Sequence, residues 1–521
     1  MLLHEYLEKA AGEQPDFLFS EFENKKLTYK QADKLANKLA NALSGEGITK
    51  GDRFAFLSKN SVEMGVMYYA ASKIGAVPVP INYRLADKEW EYIINDSGSK
   101  LIIVRSEEYT NRIEGISGNL TNIKKFVGIN SVIQNPLWQD FYKWIDSQSE
   151  DKPSSNISED DDVYQMYTSG TTGHPKGAIL LQRNVAANIR QYLSSLTLPR
   201  PARTLMVAPM YHAAAMINMC GCVAIGGTLV IQEDFLPNDV VECLANEKIT
   251  HTILVPAMIQ ACLVMAPDVD KHSYSDLDQI HYGASPIAPD TLKRAMDVFK
   301  CKFAQGFGMT ENVALLCALT HEDHNRALNE KPELLKSCGK PATDTIIEIR
   351  DENDNPLPVG EIGEICAYGP QIMRGYWNKD QETMKALKDG WLHTGDAGKM
   401  DEEGYIYIQD RIKDMIVSGG ENVYSLEVES ALFAHPEVVD AAVIGIPDEK
   451  YGEAVKACIV KKEGSSLSEE QLIDFCKDKI ASYKKPRSVD FISEVPRNAS
   501  GKVLKKKLRE PYWSGRDRQV S

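Results

Sequence analysis

The chain has 521 residues, more than one hydrophobic core can serve, and a length that divides into about two to four domains. Its composition, 43% hydrophobic and 26% charged, is that of a folded globular protein and excludes a disordered or fibrous one. A formal net charge of −15 excludes general affinity for nucleic acid or an anionic membrane, so a polyanionic ligand must meet local lysines, arginines and backbone N–H groups.

The first residues, MLLHEYLEKAAGEQPD, break any apolar run at Glu5 and Glu8, which speaks against a secretory leader. In TYKQADKLANKLANAL (28–43) the residues Ala32, Leu35, Ala36, Leu39 and Leu43 share a helical face. Thr28 and Gln31 form a capping-box pattern there, and Gly45 and Gly47 end the helix. RFAFLS (53–58) predicts a strand, 60–74 a helix, and GAVPVPI (75–81) a strand or entry loop. The polar run 147–162 is a surface loop. Strands are expected again at TLMVAPM (204–210), THTILVPA (250–257) and CKFAQGF (301–307), alternating with helices, the rhythm of largely parallel covered sheets. Beyond residue 340 the pattern turns to hairpins, at 351–369 and 401–420, then helices at 426–434 and 468–482. The fold class expected is α/β: a large N-terminal domain of parallel and mixed sheets flanked by helices, residues 1–410, and a small α+β domain, residues 411–521. No window of ~18 uninterrupted apolar residues occurs, so no integral membrane segment is expected. The ten cysteines, with Cys220-Gly-Cys222 the only close pair, fit buried free thiols in a cytoplasmic protein.

Between two strand-like runs lies YTSGTTGHPKG (167–177), rich in hydroxyls and glycine and carrying one lysine. Such a loop suits a phosphate chain, although a plain Ser/Thr/Gly hairpin connection has the same composition. It is not a Walker P-loop, because Lys176 follows Pro175 and precedes Gly177 instead of a Ser or Thr. Four other stretches carry chemistry-bearing residues: PMYHAAA (209–215), QGFGMTE (305–311), WLHTGD (391–396) and VPRNASGKVLKKKLRE (495–510).

In this order and at this spacing the five stretches resemble the adenylate-forming superfamily of acyl-CoA synthetases, peptide-synthetase adenylation domains and firefly luciferase. The resemblance covers essentially the whole chain. SGGENVYSLEVE (418–429) and VPRNASGK are most similar to the AMP-dependent fatty-acyl and aryl acyl-CoA ligases. It implies two half-reactions: a carboxylate attacks the α-phosphate of MgATP to give acyl-AMP and pyrophosphate, and the thiol of coenzyme A then displaces AMP. ATP, Mg²⁺ and coenzyme A are the implied cofactor and co-substrates. A carboxylate and a polyphosphate are both anions, so positioning and charge neutralisation must carry the catalysis.

The resemblance implies roles residue by residue. Thr168, Ser169, Gly170, Thr171, Thr172 and Gly173, with Lys176, would wrap the β- and γ-phosphates. Thr310 would donate to phosphate, and Glu311, with Thr168, would hold Mg²⁺. Gly283, Ala284 and Ser285 resemble the adenine-pocket wall, and Gln305, Gly306, Phe307, Gly308 and Met309 would also bind ATP, with Phe307 stacking on adenine. Phe307 stands where relatives usually have tyrosine, which drops a hydroxyl and keeps a stacking face. Asp396 and Arg411 would hold the ribose hydroxyls, either being otherwise a surface charge. Lys502, behind Ser500-Gly501, would bridge the substrate carboxylate and the α-phosphate; otherwise it is one more lysine of a basic tail. Lys413 matches a hinge about which the small domain rotates, and Ser418, Gly419 and Gly420 would then meet the pantetheine arm of coenzyme A, or simply form a turn.

His212 would stand at the mouth of the acyl pocket, or be structural. Beyond it Ala213, Met216 and Ile217 are apolar, and Tyr211–Val223 holds no carboxylate for a substrate amine. The expected substrate is therefore an apolar monocarboxylic acid, with no nucleic acid as partner. A homodimer is left open. Loading of a carrier protein in place of coenzyme A is the alternative acceptor, which the lack of a carrier domain after VLKKKLRE disfavours.

Overall fold

The computed structural model describes residues 1–130, 135–168, 174–285, 287–419, 421–477, 479–497 and 502–514. Among them the strands form five sheets. The largest has nine strands, of which Lys302–Phe307, Gln279–Gly283, His251–Ile253, Arg203–Met206, Thr228–Ile231 and Leu18–Phe22 run parallel in that order. Antiparallel strands, Cys317–Leu319 on one side and Lys25–Thr28 on the other, flank this block. A second sheet, of five parallel strands, is centred on Leu101–Arg105, with Arg53–Leu57 beside it. The helix Val62–Ile74 has every residue buried, which is why it lacks an amphipathic period. One continuous core joins this helix to both sheets.

The expected helix over 28–43 spans Tyr29–Gly45, capped by Thr28, whose hydroxyl accepts the Gln31 N–H while the Gln31 side chain accepts the Thr28 N–H. The run 204–210 is a strand only to Met206. There Asn60 intervenes: its amide donates to the carbonyls of Met206, Val207 and Ala208, and its oxygen accepts the Met210 N–H at 2.8 Å. The apolar run therefore leaves the sheet and turns toward His212. THTILVPA likewise keeps its strand only over His251–Ile253, because Pro256 opens the helix Pro256–Met265.

An antiparallel sheet follows, with Ile346–Arg350, Gly363–Tyr368, Trp391–Met400 and Ile406–Arg411 as its main strands. The hairpins expected at 351–369 and 401–420 are each offset: residues 351–362 are a loop, the partner of Ile406–Arg411 is Trp391–Met400, and Ile416–Ser418 belongs instead to the C-terminal sheet. The C-terminal sheet is built on the long hairpin Val438–Asp448 and Gly452–Lys461, covered by the helices Ser425–Phe433 and Glu469–Lys477. It has its own apolar core, including Ile416, Val428, Leu432, Val443, Val455 and Leu472. The architecture is thus a large sheet-and-helix domain followed by a small α+β one. All ten cysteines are free, nine of them buried. No helix among the described residues is long and apolar enough to cross a membrane.

Candidate active site

The glycine-rich loop is framed by the antiparallel pair Asp162–Thr168 and Lys176–Leu181, in which Thr168 faces Lys176. The hairpin reading of its topology therefore holds, and a phosphate role remains compatible with it. Ser169, Gly170, Thr171, Thr172 and Gly173 lie outside the described residues. Lys176 extends its ammonium over the Tyr376 ring, 4.4 Å from the centroid. A third strand, Gly375–Tyr376, pairs with Lys176–Leu181, and the neighbouring Trp377 N–H donates to the Gly177 carbonyl at 2.8 Å.

The same segment reaches Glu311. The Tyr376 hydroxyl donates to Glu311 Oε1 at 2.7 Å, and the Met373 N–H donates to the Glu311 carbonyl at 2.8 Å. Glu311 is buried and belongs to the short helical turn Thr310–Asn312, which Asn312 closes by accepting the Met309 N–H at 2.7 Å. Burial and the Glu311 carboxylate push the Tyr376 hydroxyl far above its usual titration range, so it stays a donor. Tyr376 is a site residue the motifs did not disclose. It lies 65 positions from its partner, and no local pattern marks an aromatic residue that must meet a carboxylate so far away.

Gln305, Gly306 and Phe307 finish the strand Lys302–Phe307, alongside Tyr282 and Gly283. Gly283 has a specific reason to lack a side chain: a Cβ there would stand 2.3 Å from the Gly306 carbonyl oxygen. Ala284, exposed with φ +66°, and Ser285 turn the chain away from the sheet edge. Phe307 is partly buried against a cluster that includes Leu316 and Ile349, and Gly308 follows it into the turn.

Asp396 and Arg411 face each other across paired strands, with Arg411 Nε 3.1 Å from Asp396 Oδ1. Burial raises the Asp396 carboxyl above its ordinary range, against the opposing pull of Arg411 and Lys502. Lys502 is brought to the same place. Burial, joined by repulsion from Arg411, lowers its ammonium to about 8, while Asp396 and Glu311 act to hold the charge. His212 feels Lys502 as well: burial first, then Lys502 and Arg84, lower the imidazole to about 4, so it is neutral. Its ring packs on Tyr211 with centroids 4.5 Å apart, at the N-terminus of the helix Ala213–Ala224. Ala213, Met216 and Ile217 are buried on that helix.

Residues far apart in sequence are thus brought together: Lys176 and Glu311 both meet Tyr376, Asp396 pairs with Arg411, and the Lys502 charge is felt by Asp396 and His212. Lys413 lies in the turn Ile412–Asp414, and burial lowers its ammonium. Ser418 ends a strand of the C-terminal sheet and Gly419 begins the turn after it, where the Gly419 N–H donates to the Tyr451 carbonyl at 2.7 Å and Gly419 has φ +66°. Gly420 lies outside the described residues.

Comparison with known proteins fits this convergence. Residues 7–377 match the model of the AMP-binding enzyme family, and residues 427–502 match that of the AMP-binding enzyme C-terminal domain. The chain belongs to the AMP-binding enzyme family. It is 35% identical, over 94% of its length and 93% of the relative's, to a long-chain-fatty-acid–CoA ligase of Mycobacterium tuberculosis. It is 34% identical, over 96% and 94%, to a fatty acid–[acyl-carrier-protein] ligase of Streptomyces coeruleorubidus. The crystal structure of an anthranilate–CoA ligase in complex with anthranoyl-AMP superposes with a TM-score of 0.89 at 26% identity, covering 98% of this chain and 97% of the other.

Proposed function

We propose that this enzyme joins an apolar monocarboxylic acid, fatty or aryl, to coenzyme A, with acyl-AMP as intermediate and cleavage of ATP to AMP and pyrophosphate. The observation that carries the proposal is the grouping of Lys502 and Arg411 with the buried acid Asp396 and of Lys176 and Glu311 about Tyr376, with a neutral histidine that feels Lys502 heading an apolar helix. Opposed charges of that kind suit two anionic reactants that must approach each other.

In this reading Lys502 pairs its ammonium with the substrate carboxylate and the α-phosphate, reducing their repulsion as the new C–O–P linkage forms. Lys176 and the loop before it receive the departing pyrophosphate. Asp396 accepts from the ribose hydroxyls, Arg411 fixes that carboxylate, and the Gly283–Ser285 wall and Phe307 flank the base. The donors fit a hard divalent cation: Glu311 is a buried carboxylate with one oxygen fixed by Tyr376, and Thr168 adds a hydroxyl. Mg²⁺ held there would neutralise phosphate charge. His212, Ala213, Met216 and Ile217 line the entry for the acyl group, and the neutral imidazole suits a tail without charge. In the second half-reaction the small domain, residues 411–521, turns about Lys413 and brings Ser418, Gly419 and Gly420 toward the pantetheine thiol.

Transfer to a carrier protein is the second reading, favoured by the likeness to the carrier-protein ligase. The test is direct. Purified enzyme with MgATP is expected to release pyrophosphate only when an apolar acid is supplied, and mass spectrometry should find the CoA thioester after coenzyme A is added. Acyl-AMP that persists with coenzyme A and disappears with a phosphopantetheinylated carrier would select the second reading. No pyrophosphate with any acid across a graded panel would refute both.

A further inference from the structure

Near Asp396, outside the residues assigned above, lies a cluster of titratable side chains. His393 Nδ1 is 2.8 Å from Glu364 Oε2 and 3.5 Å from Cys366 Sγ, while His393 Nε2 is 3.3 Å from Asp354 Oδ1. Among the described residues Asp354, Cys366 and His393 form a candidate metal-ligand group, but the imidazole separates its partners. One ring nitrogen faces Asp354 and the other faces Glu364 and Cys366, so a single ion cannot draw on all of them through one histidine nitrogen. Arg350 and Lys388 also stand 3.7 and 3.6 Å from Asp354, supplying positive charge a cation would otherwise provide. The cluster is better explained by what its other side holds.

Glu364 is bidentate. Its Oε2 accepts from His393, and its Oε1 accepts the Gly395 backbone N–H at 2.9 Å. Between those points the strand Trp391–Met400 slips in register: Cys366 faces His393 but Glu364 faces Ala397, so the three residues 394–396 stand opposite the single residue Ile365. Gly395 adopts φ +71°, the left-handed region glycine tolerates. The Thr394 hydroxyl closes the bulge, donating to the Ile365 carbonyl at 2.7 Å and accepting the Asp396 N–H at 3.1 Å. The bulge ends at Asp396 and sets the direction of its carboxylate. Without an acceptor at Glu364 the Gly395 N–H loses its partner and the most permissive residue of the strand is freed, one position before Asp396.

We infer that Glu364, backed by His393, is a positioning residue that shapes the bulge carrying Asp396 and so sets the enzyme's demand for the ribose hydroxyls of its nucleotide. This rests on the reading of Asp396 as the ribose ligand. It deepens that reading by naming the device that aims it. A carboxylate displaced by even about 1 Å forfeits a large part of its effect, up to roughly a hundredfold.

The experiment measures kcat/KM for pyrophosphate release with ATP, 2′-deoxy-ATP and 3′-deoxy-ATP, together with thermal unfolding of each variant. Asp396→Asn is expected to remove most of the preference for ATP. Glu364→Leu, which has no acceptor, should lower that preference about tenfold to a hundredfold, chiefly through KM for ATP, with kcat changed less. Glu364→Gln should restore it to within a few-fold. Its amide oxygen still accepts from Gly395 and its amide N–H donates to His393 in the other tautomer. If Glu364→Leu does not fold, His393→Leu carries the test and should reduce the preference in the same direction. A folded Glu364→Leu or His393→Leu with full preference, alongside an Asp396→Asn that has lost it, overturns the positioning role. Equal loss in Glu364→Leu and Glu364→Gln overturns it too, since Gln keeps the volume and an acceptor for Gly395, so the negative charge and not the hydrogen bond would then matter. Full preference in Asp396→Asn instead refutes the ribose reading itself.

Discussion

At Lys502 two physical effects act in the same direction. Burial and the guanidinium of Arg411 both disfavour a second positive charge, and they lower the ammonium to about 8 against the pull of Asp396 and Glu311. A charge held against that cost is poised to meet an arriving anion. Only the ammonium form can neutralise carboxylate and phosphate, so the sign follows directly. The kcat/KM for adenylation, which reports the free enzyme, is expected to be level below about 8 and to fall as pH rises through that value. Lys502→Ala should abolish the descending limb and lower the rate of pyrophosphate release by about 10²–10³. Thioester formation from supplied acyl-AMP should be nearly unaffected, because that step transfers the acyl group away from a nucleotide already joined to it. Stopped-flow assays of the separate half-reactions check both statements, and equal loss in both steps would contradict the role of Lys502.

At the scale of elements, the site depends on where strands end. Gly283 and Gly306 pair at the C-terminal ends of two adjacent parallel strands, and the missing Gly283 side chain is filled by the Gly306 carbonyl, 2.3 Å from where a Cβ would stand. Gly283→Ala must therefore push two backbones apart, since neither contact is the tip of a flexible side chain. A cost of about 1–3 kcal/mol is expected, read as a lower midpoint in chemical denaturation, with KM for ATP raised because the adenine wall moves with the strand. Local signals of this kind were legible in the sequence wherever the cause was local: the Thr28–Gln31 cap and the glycine-rich hairpin between Thr168 and Lys176. The five motifs contain Glu311, Asp396 and Lys502, and the resemblance they carry implied a role for Arg411 as well, through resemblance and not through charge or period. What sequence did not disclose was set by distant partners. Asn60 stops the strand at Met206 by collecting carbonyls from Met206, Val207 and Ala208. Tyr376 reaches Glu311, and Glu364 reaches Gly395 across 31 positions. None of these pairs leaves a periodic trace, because each is created by tertiary packing.

At the scale of the whole molecule, the proposed function has the orientation of the small domain decide which half-reaction is assembled. In that reading Lys502 reaches Asp396 only if the segment around residue 410 and the tail are held together, and a buried polar cluster holds them. Asp410 pairs with Ala397 in the antiparallel sheet, while its carboxylate accepts from the Ser425 hydroxyl at 2.6 Å and from the Ser425 N–H. Lys505 donates to Ser425 in turn and lies 2.7 Å from Glu429. Burial alone would lower the Lys505 ammonium, but Glu429 and Asp410 hold it above its ordinary range, so the cluster keeps its charge. Arg509 adds a tie from the tail to Asp414, 2.6 Å away. If the chain turns about Lys413, Asp410 stays with the large domain and Ser425 leaves with the small one, so this contact belongs to the orientation seen here alone. Ser425→Ala removes the hydroxyl that both Asp410 and Lys505 use, and an unsatisfied buried partner costs about 1–3 kcal/mol. Because that loss falls on one orientation only, the population should shift toward the other, and adenylation should slow by roughly tenfold, the equivalent of about 1.4 kcal/mol. Thioester formation from acyl-AMP and coenzyme A should hold its rate or rise. Small-angle scattering and the two half-reaction rates test this together. A parallel loss in both rates with an unchanged scattering profile would mean that the cluster stabilises the fold in general and does not select an orientation.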